Sequence, residues 1–303
     1  MNSNILLSFL PIAIPGVIFI FFFGFFNFLK LKKRGRKSPL TRELLRGPGE
    51  SLRHQITEID DDVDLYLFMI FVLPFLMYSS YLSQIYFGGY KPGLIGVIII
   101  IFVPAAIFIF WSFKLWKLLK QRNNLRLGLD CELAVGEELN QLMLEGCRVF
   151  HDFPVKEFNK EFNIDHIVVS PKGVFAIETK GRAKPDKNVG SAEATVVYNG
   201  QSLKFPSWIE KDPIEQARRN ADWLSKWLGK AVGEAVQVYP VLALPGWWIE
   251  REVTDDMFVF NGKNPQNLLK RNGFLSPELM KHISHQLEQK CRDVEPTAYR
   301  QAK

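Results

Sequence analysis

Cysteine is scarce. Cys131, Cys147 and Cys291 are the only three in 303 residues, and none shows CxxC spacing. An odd, scattered set cannot build a disulfide framework and fits a reducing compartment. Each reads as a small buried hydrophobe. Glycine-rich phosphate loops, zinc-ligand spacings and a Ser-His-Asp arrangement are missing as well. His282 and His285 stand three apart without a Cys or acidic partner at metal spacing, so they read as surface residues. The long apolar runs hold no ionisable residue at depth, which argues against an ion or proton pathway and for simple anchoring. The C-terminal half, finally, lacks a basic excess. The formal net charge is +6, yet residues 1–130 hold 15 Lys+Arg against 8 Asp+Glu, and residues 131–303 hold 23 against 24. The surplus belongs to the apolar half, where it reports orientation, and any nucleic-acid groove in the other half must be local.

What is present falls into two parts. Residues 1–126 contain three apolar runs at about 5–29, 65–87 and 94–116, each long enough to cross a bilayer as a helix. A signal peptide competes for the first run. The basic cluster follows that run and no small-x-small cleavage site appears, which favours a retained span. Lys30, Lys32, Lys33, Arg34, Arg36 and Lys37 open a polar loop over 30–63. Lys114, Lys117, Lys120, Arg122 and Arg126 lie at and beyond the inner end of the third run. By the positive-inside rule both flanks give the same topology: N-terminus outside, C-terminal domain in the cytoplasm, as a multi-pass protein of a bacterial inner membrane. The basic loop also suits anionic headgroups of the lipid bilayer. Within it, Thr41–Arg53 reads as a short helix broken at Gly47-Pro48-Gly49, with no function assigned.

Residues 127–303 read as a globular domain. Its most informative stretch runs from Asn163 to Lys180. Ile164–Val169 and Val174–Thr179 are rich in β-branched and aromatic residues, and Ser170-Pro171-Lys172-Gly173 between them is turn chemistry. Side chains alternate along a strand, so Glu178 and Lys180 share a face, and pairing across the turn lets Asp165 fall beside Glu178. Charges ending an apolar strand must be paired or bind metal. Two hard carboxylates suit Mg²⁺ or Mn²⁺, and the adjacent ammonium can polarise a water for attack on a phosphodiester. The competing reading is a surface hairpin whose Asp and Lys form an ordinary ion pair. His166 points to the opposite face from Asp165 and reads as a packed or hydrogen-bonded histidine, as does His151.

Around that hairpin the sequence predicts a helix over Cys131–Cys147, interrupted at Gly136-Glu137, and a first strand over Arg148–Phe153. A glycine there implies close backbone packing or access to Glu137. Arg182, Lys184 and Lys187 form a basic loop suited to a phosphate backbone, or simply a solvated one. Ala194–Phe205 reads as a second hairpin turning at Asn199-Gly200. Asp212-Pro213-Ile214-Glu215 opens a helix to about Leu228 with Ile214, Ala217, Ala221, Leu224 and Leu228 as its core stripe. Gln216, Asn220, Trp223 and Trp227 lie on an adjoining stripe, from which Gln216 is placed to reach the carboxylates. Ala235–Leu244 reads as a buried central strand, 251–260 as one more strand, and Pro265–Arg271 and Pro277–Arg292 as helical.

Taken in order over about 134–249, these pieces resemble the NERD (nuclease-related) domain, a branch of the PD-(D/E)xK nuclease superfamily. The resemblance rests on Gly136-Glu137, Asn163–Val169, Gly173–Lys180, Gln216-Ala217-Arg218 and the Val238–Gly246 stretch. It implies an α/β, restriction-endonuclease-like mixed sheet flanked by helices, here preceded by three transmembrane helices and followed by a helical extension. It also implies that Asp165 and Glu178 bind Mg²⁺ or Mn²⁺, that Lys180 activates water, that Glu137 assists from the first helix and that Gln216 supports the site from the second. The Pro-Asp dipeptide of the superfamily name is not kept, since Ile164 precedes Asp165. The implied function is a membrane-anchored, metal-dependent nuclease acting on nucleic acid, DNA first and RNA second. The alternative is a non-catalytic adaptor that binds nucleic acid or protein with the same fold.

Overall fold

The computed structural model describes residues 39–89, 91, 93–157, 160–184 and 194–296, with Phe21 and Phe25 besides. Two compact units result. One joins Arg42–Gln55 to Asn124–Glu295; the other comprises Ile56–Asn123.

The second of these is built from two long helices, α1 (Glu50–Tyr86) and α2 (Leu94–Asn140), which begin or end in the first unit. At 1.5 Å per residue, α1 and α2 are about 55 and 70 Å long. Both are long and apolar enough to cross a membrane. Large apolar side chains such as Phe71, Phe75, Leu94, Ile95 and Phe102 are exposed along them. Tyr66 packs on Trp111 at 4.9 Å, Lys114 lies over Tyr66, Phe110 and Trp111, and Arg122 pairs with Asp60. Three spans were expected, and two such helices are found among the described residues. The first, over 5–29, lies outside them apart from Phe21 and Phe25, as do the basic residues 30–37.

The other unit is a mixed α/β domain. Its five-stranded sheet has the order β10-β8-β4-β3-β2. The strands are β2 (Arg148–Glu157), β3 (Lys160–Ser170), β4 (Gly173–Thr179), β8 (Val238–Ala243) and β10 (Phe258–Phe260). β2, β3 and β4 pair antiparallel; β4, β8 and β10 pair parallel. β4 is buried along its whole length, as a central strand covered on both faces must be. The turn before it needs Gly173: its φ is 130°, and a Cβ there would lie 2.8 Å from the Tyr239 ring.

Helix α3 (Asp212–Val232) buries Ile214, Ala217, Ala221, Leu224 and Leu228. The last three meet α4 (Pro277–Cys291) and one sheet face through Ile164, Ile167, Val169 and Ala176. The end of α2 covers the other face with Val135 and Leu139, against Val168, Phe175 and Ile177. A smaller sheet, β7-β6-β5-β9, is made from β5 (Thr195–Tyr198), β6 (Leu203–Lys204), β7 (Ile209–Glu210) and β9 (Trp248–Arg251).

Several expectations change. The helix at Cys131–Cys147 is not separate: α2 runs unbroken from Leu94 to Asn140 and tightens into a 3-10 turn over Gln141–Glu145. Gly136 does not interrupt it. It is buried beneath Pro48, whose Cγ would stand 2.6 Å from an added Cβ, so close packing explains the glycine. Residues 251–260 form no single strand; β9 ends at Arg251 and β10 starts at Phe258. The presumed loop 30–63 is helical from Glu50, and its stretch Arg42–Gln55 packs within the α/β unit. There β1 (Leu44–Leu45) pairs antiparallel with β11 (Arg292–Val294).

Candidate active site at the end of the central hairpin

The β3–β4 ladder stops at His166↔Ile177. One position further, Asp165 and Glu178 stand across from each other. There the Asp165 side chain replaces the ladder: its Oδ2 accepts the Thr179 backbone N–H at 2.7 Å. By alternation both acids emerge on the α3 face of the sheet. Lys180, two residues beyond Glu178, donates from Nζ to Glu178 Oε1 at 2.6 Å. The Lys180 backbone stays in register through its N–H to Ala243 O at 2.9 Å. The hairpin thus brings Asp165, Glu178 and Lys180 together.

The remaining expected residues are placed differently. Glu137 is exposed on α2. The acid that α2 turns inward is Glu132, 6% exposed, on the buried stripe Glu132, Val135, Gly136 and Leu139. Five residues separate the two acids, about 140° of helix rotation, so they cannot share a face. The sequence carried a usable signal, an acid opening an apolar i, i+3, i+4, i+7 stripe. Gln216 is half-buried and lines a cleft of about 640 Å³ with Lys180, Arg182 and Lys211. The α3 side chain that touches the acids is Asn220, one turn on, whose Nδ2 donates to Glu178 Oε2 at 2.9 Å. Arg182 is held in a fork with Glu210, at 2.9 Å from Nε and 2.7 Å from Nη2. Glu210 also accepts from Trp208 Nε1 at 2.7 Å. Lys184 is exposed, its Nζ 5.7 Å from the Trp247 ring centre, and Lys187 lies outside the described residues.

Electrostatics follow from this crowding. Burial, then the charges of Glu178 and Glu132, push the Asp165 carboxyl well above the usual carboxylate range. Glu132 is pushed up to about 8, first by burial and then by Asp152 and Glu178; Lys180 and the Gly49 backbone N–H oppose the shift. Burial also raises Glu178, against the pull of Lys180, Arg219 and Asn220. Glu132 Oε2 is buried without a hydrogen-bond partner.

His166 lies on the opposite sheet face, with its Nδ1 2.9 Å from His151 Nδ1; His151 Nε2 meets Asn140 Oδ1 at 3.0 Å. An amide oxygen accepts, so His151 carries its proton on Nε2 and His166 donates from Nδ1. Burial lowers His151 to about 4, and burial with the neighbouring His151 holds His166 well below its ordinary value. Both are neutral packing residues.

Among the described residues, no group of three or more His, Cys, Asp or Glu is gathered closely enough to hold a metal. Magnesium, however, binds through one or two carboxylates and keeps several waters. Two buried carboxylates that repel each other, beside a third with an unpartnered oxygen, form a donor set that fits such a hard cation.

A strand-end pair of buried acids with a lysine two residues on, braced by an amide from a flanking helix, is the kind of cluster of perturbed titratable groups that marks a candidate functional site. Residues 127–245 match the family described as nuclease-related domain (NERD). No curated protein and no solved structure matches the chain.

Proposed function

We propose that this domain hydrolyses phosphodiester bonds of nucleic acid, DNA in the first place, with a PD-(D/E)xK-type site dependent on a divalent metal. The observation that carries the reading is the convergence of Asp165, Glu178 and Lys180 at one strand end. Asp165 and Glu178 would hold a magnesium or manganese ion, with the Glu132 carboxyl beside them; when bound, the ion supplies positive charge to the phosphate and acidifies a water. The chain's own residues do the rest. Thr179 N–H fixes Asp165, and Asn220 fixes Glu178. Lys180, fixed by Glu178 Oε1, keeps an ammonium beside the acids to orient a water and offset charge developing on the phosphate. Gln216, Lys211 and Lys180 line the adjoining cleft, where a phosphate backbone would enter.

The exposed apolar side chains of α1 and α2 support a bilayer anchor, and the basic flanks support a cytoplasmic domain. Anchoring would confine cleavage to nucleic acid near the membrane. Full chain in detergent micelles, given plasmid or single strands with Mg²⁺ or Mn²⁺, should cleave; cleavage that survives chelator or Glu178→Ala refutes the assignment. One observation favours a binding-only domain: both Glu178 oxygens are already bonded, to Lys180 and Asn220. That reading predicts salt-dependent binding without turnover, unaffected by Lys180→Ala.

A further inference from the structure

We infer that residues 46–51 are a positioning element of the acid site, so the working domain is discontinuous: a segment ahead of α1 completes what residues 124–295 begin. The inference rests on the nuclease-type reading of that site. The matched stretch 127–245 does not include the segment, nor the β11 strand that anchors it.

Arg46 is the hub. Its Nε and Nη2 reach Asp293 at 2.6 and 2.9 Å, and its Nη1 reaches Asp152 Oδ2 at 2.7 Å. Asp152 is fully buried and has a φ of 50°, a left-handed conformation that strains an L residue. Its place in β2 lies across from Asp165, between the pairs His151↔His166 and Phe153↔Ile164. The surroundings fix it there. Ser51 donates to Oδ2 from its backbone N–H at 2.9 Å and from its hydroxyl at 2.7 Å, and Asn163 Nδ2 donates to Oδ1 at 2.5 Å. A strained, buried carboxylate with donors on both oxygens, next to the candidate acids, is shaped for more than strand pairing.

The second contact is direct. Gly49 lies against the Glu132 carboxylate: a Cβ on it would stand 3.6 Å from Glu132 Oε2. Gly49 has a φ of 68°, a left-handed conformation that favours glycine, and an added Cβ would also meet Leu129 Cδ1. Pro48 presses on Gly136, one turn from Glu132. Segment 46–51 therefore orients Glu132 from one side and holds β2 opposite Asp165 from the other.

The test compares full-length Arg46→Ala and Gly49→Ala with Arg292→Ala. The Arg292 variant loosens the same β1–β11 attachment, through its bond to Glu43 O; its one acidic partner, Glu288 at 2.6 Å, lies on α4 and is none of Glu132, Asp152, Asp165 or Glu178. Asp293→Asn replaces Arg46→Ala if the latter fails to fold. Mn²⁺ is titrated into each protein in micelles and the bound fraction read by electron paramagnetic resonance. Loss of such an outer support weakens metal affinity about tenfold or more. That drop is expected for the Arg46 (or Asp293) and Gly49 variants, with Arg292→Ala within about twofold of wild type. Equal affinity in all folded variants, or an equal drop in Arg292→Ala, overturns the inference. If wild type binds no Mn²⁺, the metal-dependent reading fails while positioning is still decided by amide deuterium exchange around Glu132 and Asp165. Selective acceleration in the Arg46 and Gly49 variants upholds it; rates equal to Arg292→Ala overturn it.

Discussion

Replacing Glu132 with glutamine should stabilise the protein, and increasingly so as pH rises. The Glu132 carboxyl titrates near 8 in the fold against an ordinary 4.5, mainly because it is buried and then because Asp152 and Glu178 repel its charge. A raised carboxyl keeps its proton in the native state while the unfolded chain gives it up. Wild type therefore loses stability as pH climbs from 4.5 to about 8, and its stability is independent of this group outside that window. The ceiling on that loss, at 1.36 kcal/mol per pKa unit, is about 5 kcal/mol. Relaxation toward an effective dielectric near 20 trims it to roughly 2–3 kcal/mol. Glutamine keeps the shape but never ionises. The unfolding midpoint of Glu132→Gln, measured in micelles by scanning calorimetry from pH 5 to 9, should match wild type near pH 5 and exceed it by about 5–10 °C at pH 9. Magnesium should shrink the gap, since binding a cation draws the proton off. Parallel profiles for the two proteins across this range would refute the buried, mutually repelling acid cluster.

Glu137→Ala, on the exposed side of α2, should leave stability and nuclease turnover unchanged, whereas Glu132→Ala lowers turnover; a plasmid-cleavage time course separates them. Asn220→Ala releases Glu178 Oε2 and should cut kcat about tenfold with little change in KM, read from initial rates. Leu224→Ala opens a cavity in the fully buried interface of α3 with the sheet and should cost about 2–5 kcal/mol by denaturant unfolding.

Much of the domain was legible because local rules agree with the tertiary outcome. The β3–β4 hairpin has strand residues on either side of a Ser-Pro-Lys-Gly turn. Helix α3 opens with Pro213 and keeps a 3.6-residue apolar stripe. Asp165, Glu178 and Lys180 converge because alternation along two paired strands leaves them no other arrangement. Legibility ended where partners come from afar. Asn220 and Gln216 share one helix stripe, and only the packing of α3 beside β4 selects Asn220 for Glu178. Glu132 and Glu137 are equally acidic neighbours in sequence, and only burial against the sheet distinguishes them.

By itself, then, the order of residues determined the strands, the helices, the apolar stretches and the acid–lysine pairing, since each depends on neighbours within a hairpin or a few helical turns. The tertiary structure decided which acid of α2 turns inward, which amide braces Glu178, and that Arg46, Gly49 and Ser51 reach Asp152 and Glu132 from 80 to 110 positions away. Contacts at that separation are selected by packing and by the need to satisfy buried charge, and neither is written in any local stretch of chain.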